Sequence, residues 1–300
     1  MKTFLLLLAF TLLNGATTLS VATYKRLAGV EKLIQEKRLD EAGEALRQML
    51  ARLPRAAIDR AYTFRSAGMY YLQRENYEEA TRLLLQAYHE RALPEAQTLR
   101  LAELIGNLYL HGERYAEAAV FYERCLAAES GAEKRIVIAC AVAYYRLERF
   151  SDVAALLEKE RGRFVPDEAL YRMLFASYYA LKQYSAALKT VDEMLRHWSG
   201  KREYWLQQSA LYYETGQRAK ALASIELAYR RGVLEKEDDY MRYVYMLVEM
   251  QIPYKAGEVL ARFIEEKKVS DSERHRELLA QCRSYAREKP SDTPSALSRR

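Results

Sequence analysis

The feature that most constrains this chain is a period. Ala42, Ala80, Ala118, Val153, Ala187, Ala221 and Ala256 follow one another at spacings of 38, 38, 35, 34, 34 and 35 residues. Four positions after each stands Leu46, Leu84, Tyr122, Leu157, Val191, Ile225 or Leu260. Nine positions before each stands Leu33, Tyr71, Tyr109, Tyr144, Tyr178, Tyr212 or Leu247. Three coordinated columns at a period near 34 describe a supersecondary unit that cannot bury its apolar face alone and must stack on copies of itself. With 12 Gly and 6 Pro in 300 residues, the chain carries about half the usual share of breakers. The repeating unit is therefore predicted to be a helical hairpin. Its first helix ends near the Tyr column and its second starts around the Ala column. The small side chain lets the two backbones approach, and the residue four positions on enters the same core face. Each column tyrosine buries its ring while its hydroxyl finds a partner or water.

The sixth hairpin, with Trp205, Tyr212, Gly216, Ala221, Ile225 and Ala228, has the spacings of a tetratricopeptide repeat, and the chain resembles that family. The implied fold is all-α: a right-handed solenoid of about seven helix-turn-helix repeats over residues 23–268, the first one degenerate. There are departures. A small residue at the crossing of the two helices is Gly68 and Gly106 in the second and third hairpins, but Phe175 and Val244 in the fifth and seventh. Glu160 stands where the fourth should place alanine, which loosens that junction. A capping helix is expected over 269–288, with Ser270 or Ser272 as its N-cap and Leu278 and Leu279 facing inward. Residues 289–300, with Pro290 and Pro294, are expected to form a disordered tail. Pro54, Pro94 and Pro166 fall between hairpins, and Pro253 falls in the turn of the seventh.

Residues 1–22 read as a secretory signal peptide. Lys2 supplies the positive start, and Phe4 to Leu13 is an apolar run broken by Thr11. Ten helical residues rise about 15 Å, half of a bilayer core. The cut is expected after Ala16 or Ala22, since Ser20-Val21-Ala22 offers small residues at both recognition positions. No Cys lies near, so lipidation there is excluded. Nothing after Ser20 resembles a membrane span, and the mature chain is expected in a bacterial periplasm with no direct membrane insertion.

No catalytic motif is present: no G-x-S-x-G, H-E-x-x-H, glycine-rich phosphate loop or C-x-x-C. The chain is thus read as a non-enzyme, and no cofactor is expected. His89, His111, His197 and His275 are scattered over different hairpins, so no shared metal site is expected. The charge balance, 47 − 41 = +6, shows no basic cluster of the kind nucleic acid requires. Of three cysteines, Cys125 and Cys140 occupy core columns of adjacent hairpins and are candidates for a disulfide. Two separate buried thiols are the alternative. Cys282 falls in the closing helix.

Function must then come from the surface that stacked first helices present. One residue past the core tyrosines stand Tyr145, Tyr179 and Tyr213, spaced by 34 and 34. Arg65, Met69, Arg100, Asn107, Arg135, Arg146 and Arg172 share that face. Tyr and Arg dominate binding hot spots because they join large contact area to hydrogen-bonding tips. Several arginines favour an acidic or carboxylate-bearing protein or peptide segment.

One stretch is more specific. Ala228-Tyr229-Arg230-Arg231-Gly232-Val233-Leu234-Glu235-Lys236-Glu237, followed by Ile252-Pro253-Tyr254-Lys255-Ala256, resembles periplasmic tetratricopeptide proteins encoded with the TonB–ExbB–ExbD system of gamma-proteobacteria. That resemblance implies an accessory of energy-coupled transport across the outer membrane, with TonB, ExbB or ExbD components as partners. A scaffold for another envelope-assembly, cell-wall or secretion machinery is the alternative.

Overall fold

The computed structural model describes residues 18–128 and 133–288, and among them the secondary structure is entirely helical. The apolar run Phe4 to Leu13 and the tail 289–300 lie outside the described residues. The chain divides into two compact halves, Met1–Arg149 and Phe150–Arg300. The first holds α1 (Val21–Gln35), α2 (Leu39–Ala51), α3 (Ala57–Gln73), α4 (Tyr77–His89), α5 (Glu95–His111), α6 (Tyr115–Leu126) and α7 (Lys134–Arg146). The second holds α8 (Phe150–Lys159), α9 (Glu168–Ala180), α10 (Tyr184–His197), α11 (Arg202–Glu214), α12 (Arg218–Arg230), α13 (Glu237–Glu249), α14 (Pro253–Glu265) and α15 (Glu273–Glu288). Within each half, every helix packs on the next in chain order, as stacked hairpins must.

The predicted columns form the core. All seven members of the small-residue column, from Ala42 to Ala256, are 0 % exposed. Leu84, Tyr122, Val191, Ile225 and Leu260, each one helical turn further on, are equally shielded. Of the tyrosine column, Tyr109, Tyr144 and Tyr178 are buried. The Tyr144 hydroxyl donates to Glu123 on α6 at 2.9 Å, and that of Tyr178 to Glu158 on α8 at 2.6 Å. Each ring thus packs between hairpins while its hydroxyl latches onto the preceding helix. In α3 the register shifts by one. Tyr71 is half-buried, and Tyr70 takes the core place and donates to the Leu39 carbonyl at 3.0 Å.

The turns repeat as well. Lys37, Glu75, Glu113, Glu148, Lys182, Gly216 and Gln251 all have positive φ, from 56° to 73°, one per hairpin at the spacings of the alanine column. Such a left-handed residue ends a helix by letting the next N–H reach back to a terminal carbonyl. Asn76 N–H meets Tyr71 O at 2.9 Å, Arg114 meets Tyr109 at 2.8 Å and Gln183 meets Tyr178 at 2.9 Å. Glycine, the residue that takes this conformation without steric cost, occupies it in the sixth hairpin alone among these seven.

Several local expectations were refined. Pro253 opens α14 as its first residue, where a missing N–H costs nothing. The helix before Glu160, α8, has 10 residues, and Glu160 is buried against Arg163 just past its end. Ser272 caps α15, its hydroxyl accepting from His275 N–H at 3.2 Å. Among the described side chains of α15 the most buried are His275 and Cys282, while Leu278 and Leu279 are half-buried. Cys125 and Cys140 are both buried thiols, and no disulfide joins them. Cys125 turns its sulfur toward the Leu99 carbonyl at 3.5 Å, and burial pushes its pKa up to about 11. Cys282 is also a buried thiol.

Candidate functional site

The first half places Arg65 and Met69 on α3, Arg100 and Asn107 on α5, and Tyr145 and Arg146 on α7, beside Arg135. Their chemistry differs sharply. Arg135 is engaged by Glu103 of α5 and by Glu133, so it stitches α7 to α5. Arg146 lies 5.3 Å over the ring of Tyr115. Asn107 accepts the hydroxyl of the buried Tyr122 at 2.7 Å and so serves the core as well as the surface. Tyr145 is half-buried, Met69 is half-buried and Arg100 is exposed. Arg65 is a different case. Its guanidinium stacks 4.6 Å over Tyr62 and donates to Gln97 at 2.5 Å. Among the described residues it has no carboxylate partner, and burial lowers its pKa from the ordinary arginine value. This is a desolvated cation held by a neutral amide and an aromatic face, and it favours an incoming anion.

The second half gives a more continuous face. Its first helices are tied edge to edge. Tyr204 of α11 donates to Glu168 of α9, which also meets Lys201 at 3.3 Å. Arg202 of α11 grips Asp239 of α13, and the Tyr213 hydroxyl donates to Glu249 of α13 at 2.9 Å. On these helices Tyr179 and Tyr213 are 48 % and 41 % exposed. Tyr179 stacks on Phe175 with ring centres 6.3 Å apart and meets Tyr184 at 5.8 Å. Arg218 lies 5.6 Å over Tyr213 and pairs with Glu249 at 3.2 Å. The hydroxyl bond to Glu249, followed by that carboxylate's charge, raises the Tyr213 pKa. Arg172 is exposed, and after the bond from Tyr204 its charge is among those that hold the Glu168 carboxyl below its ordinary value.

Sequence counting missed two members of this face. Tyr245 and Val248 on α13 are 41 % and 38 % exposed, and Arg242 is exposed one turn before Tyr245. Val248 was within reach, because it stands one residue past Leu247 as Tyr179 and Tyr213 stand past their column residues. Tyr245 lies one turn earlier, where α9 and α11 carry Ala176 and Ala210.

The described residues contain no group of His, Cys, Asp and Glu able to hold a metal ion. No described helix is long and apolar enough to cross a membrane. A hollow of about 410 Å³ lies between α14 and α15. Glu258, Glu265, Arg262 and Arg283 wall it, with Tyr254 at its edge. Pro253, Ala261 and Cys282 line it as well, so its walls mix apolar and charged groups.

No family model matches the chain, and no curated protein matches it. Solved structures do resemble it in fold. One chain of a complex of Naa15 and Naa10 bound to HypK aligns over 88 % of this chain and 39 % of its own length, at 14 % identity and a TM-score of 0.61. A repeat protein from Cytophaga hutchinsonii covers 84 % of this chain and 99 % of its own, at 14 % identity and a TM-score of 0.49. A tetratricopeptide protein from Parabacteroides merdae covers 88 % and 100 %, at 13 % identity and a TM-score of 0.45. The fold is an all-α tetratricopeptide solenoid. In a tetratricopeptide frame α3, α5 and α7 are first helices in the first half, and α9, α11 and α13 in the second. The exposed tyrosines and valine therefore sit on first helices.

Proposed function

We propose that this chain is a non-enzymatic, protein-binding scaffold that holds a segment of another protein against its first helices. The observation that carries the reading is the row of Tyr179, Tyr213, Tyr245 and Val248, all more than a third exposed on three successive first helices of one half. Large amphipathic rings left in water lose little rotamer freedom on binding and bury much area, which is the hot-spot profile. Arg65, without a carboxylate partner among the described residues, and the exposed Arg172 favour an acidic partner. A chain of the same fold belongs to the assembly of Naa15, Naa10 and HypK, which supports an assembly role.

The export part of the reading rests on the leader through Ala22 and puts the scaffold in the periplasm. The resemblance across Ala228 to Glu237 and Ile252 to Ala256 supports service to a TonB-type transport complex. A photo-reactive residue placed at Tyr179 or Tyr245 in intact cells tests both parts. TonB, ExbB or ExbD components are expected to crosslink there and not from Val120, a 62 % exposed position on α6. Capture of cell-wall synthases would move the scaffold to another envelope machinery. Equal labelling from all three positions would remove the binding face.

A further inference from the structure

We propose that the leader is cut between Ala22 and Thr23, and that the α-ammonium created at Thr23 is received by the buried carboxylate of Asp59. The inference rests on the export reading and adds to it the processing site and the group that anchors the new terminus.

Asp59 sits in the first turn of α3 and is 5 % exposed. Among the described residues it has no cationic partner. Its side chain accepts one neutral hydrogen bond, from the backbone N–H of Ser20 at 2.9 Å. A carboxylate shielded this far from water needs more compensation than one neutral donor supplies. Ser20 is also the N-cap of α1: its hydroxyl accepts from Thr23 N–H at 3.2 Å and donates to Thr23 Oγ1 at 3.1 Å. Thr23 is itself 5 % exposed. Ser20 thus bonds the buried acid through its N–H and the first buried residue of α1 through its hydroxyl.

Ser20 and Ala22 are small residues at the outer and inner recognition positions for a cut after Ala22, whereas a cut after Ala16 would put Asn14 at the outer one. In the hydrolysis, water adds its oxygen to the Ala22 carbonyl carbon and the Ala22–Thr23 C–N bond breaks. Ala22 departs as a carboxylate, and the released amine takes up a proton. Thr23 is then the first residue of α1, with a hydroxyl suited to the N-cap role that Ser20 gives up. A positive terminus at a helix N-terminus opposes the helix dipole, and a carboxylate facing it removes that penalty. Thr23 lies three residues, about 4.5 Å of helical rise, from Ser20. With no preceding peptide to hold it, its nitrogen turns about its own Cα toward the place the Ser20 N–H occupied.

The test uses the protein purified from exporting cells. N-terminal sequencing and intact mass are expected to give Thr23 as the first residue. A start at Thr17 would overturn the proposal and leave export standing, whereas an uncut Met1 start would overturn export itself. The α-amino group is then titrated by NMR. Its midpoint is expected about one pH unit above the ordinary range near 7.7–8.0, returning to that range in Asp59→Asn. An ordinary midpoint in the wild-type protein overturns the anchor, whether or not Asp59→Asn folds.

Discussion

Arg202, at the start of α11, donates from Nε and Nη2 to the two carboxylate oxygens of Asp239, in the first turn of α13. The side chains are 17 % and 3 % exposed. Asp239 also accepts from the backbone N–H groups of Glu235 and Lys236 at 3.2 and 3.0 Å. One carboxylate therefore caps α13 and holds it to α11.

Burial alone would raise the pKa of Asp239. The bonds from Arg202, Lys236 and Glu235 outweigh it and hold the carboxyl below its ordinary value. A depressed folded pKa contributes stability that is present above the unfolded value and lost as pH falls through the folded one. Asp239→Asn, which strands Arg202, is expected to cost about 3 kcal/mol at pH 7. Urea melts of both proteins should show the gap closing as pH falls below about 4. A gap unchanged at pH 3 would mean that the pair contributes through shape and not charge.

Gly216 and Lys182 occupy the same left-handed turn position in neighbouring hairpins, at φ 73° and 56°. A Cβ on Gly216 would meet nothing within 4 Å, so backbone strain is the term that changes there. Gly216→Ala is expected to lower stability by about 1 kcal/mol. Lys182→Ala, where that strain is already present, should change it by less than about 0.5 kcal/mol. Paired denaturant melts separate the two, and equal losses would reject the account of the turns.

Glycine-to-alanine changes inside helices should have opposite signs in α3 and α1. A Cβ on Gly68 would lie 2.6 Å from Leu84 Cγ and 3.2 Å from the Ala80 carbonyl, both parts of α4. Gly68→Ala is expected to cost about 1–3 kcal/mol through overpacking at that crossing. Gly29, in α1, has nothing within 4 Å of such a Cβ. Gly29→Ala should stabilise by about 0.5–1 kcal/mol through helix propensity. Thermal melts of the two single variants check both directions.

The core was legible because its three columns are spaced by the geometry of the fold itself, and Ala42 through Ala256 fell where the period put them. The turn residues were not, because glutamate, lysine and glutamine carry no left-handed signature; Gly216 alone among the seven announces the conformation. Adjacent tyrosines defeat a period: Tyr70 and Tyr71 differ by about 100° around a helix, and packing against Leu39 decided between them. On the candidate face, Tyr179 and Tyr213 were found by counting from the core. Tyr245 was missed because it stands one turn before the counted position, where α9 and α11 carry Ala176 and Ala210. Arg135 looked like a groove cation, yet its partner Glu103 lies a whole hairpin away in sequence, and no local spacing reveals that pairing.

That last pairing decides how the binding face should be probed. Arg135→Glu would set a second carboxylate against Glu103, whose side chain is 12 % exposed, so it should lower stability by about 1 kcal/mol as well as change the surface. Loss of a partner in that variant would be ambiguous. Tyr179→Ala and Tyr245→Ala remove rings that are 48 % and 41 % exposed, and the melting of each should stay close to wild type. Combined, they are expected to weaken the crosslinked partner at least tenfold, since each exposed hot-spot aromatic contributes about 1 kcal/mol or more. Tyr213→Ala should behave differently, because its hydroxyl holds Glu249 and its ring supports Arg218. Stability and affinity should fall together there. Titration calorimetry beside thermal melts separates the two patterns. Full affinity in the Tyr179→Ala, Tyr245→Ala double variant would move the partner off the first-helix face of α9 and α13.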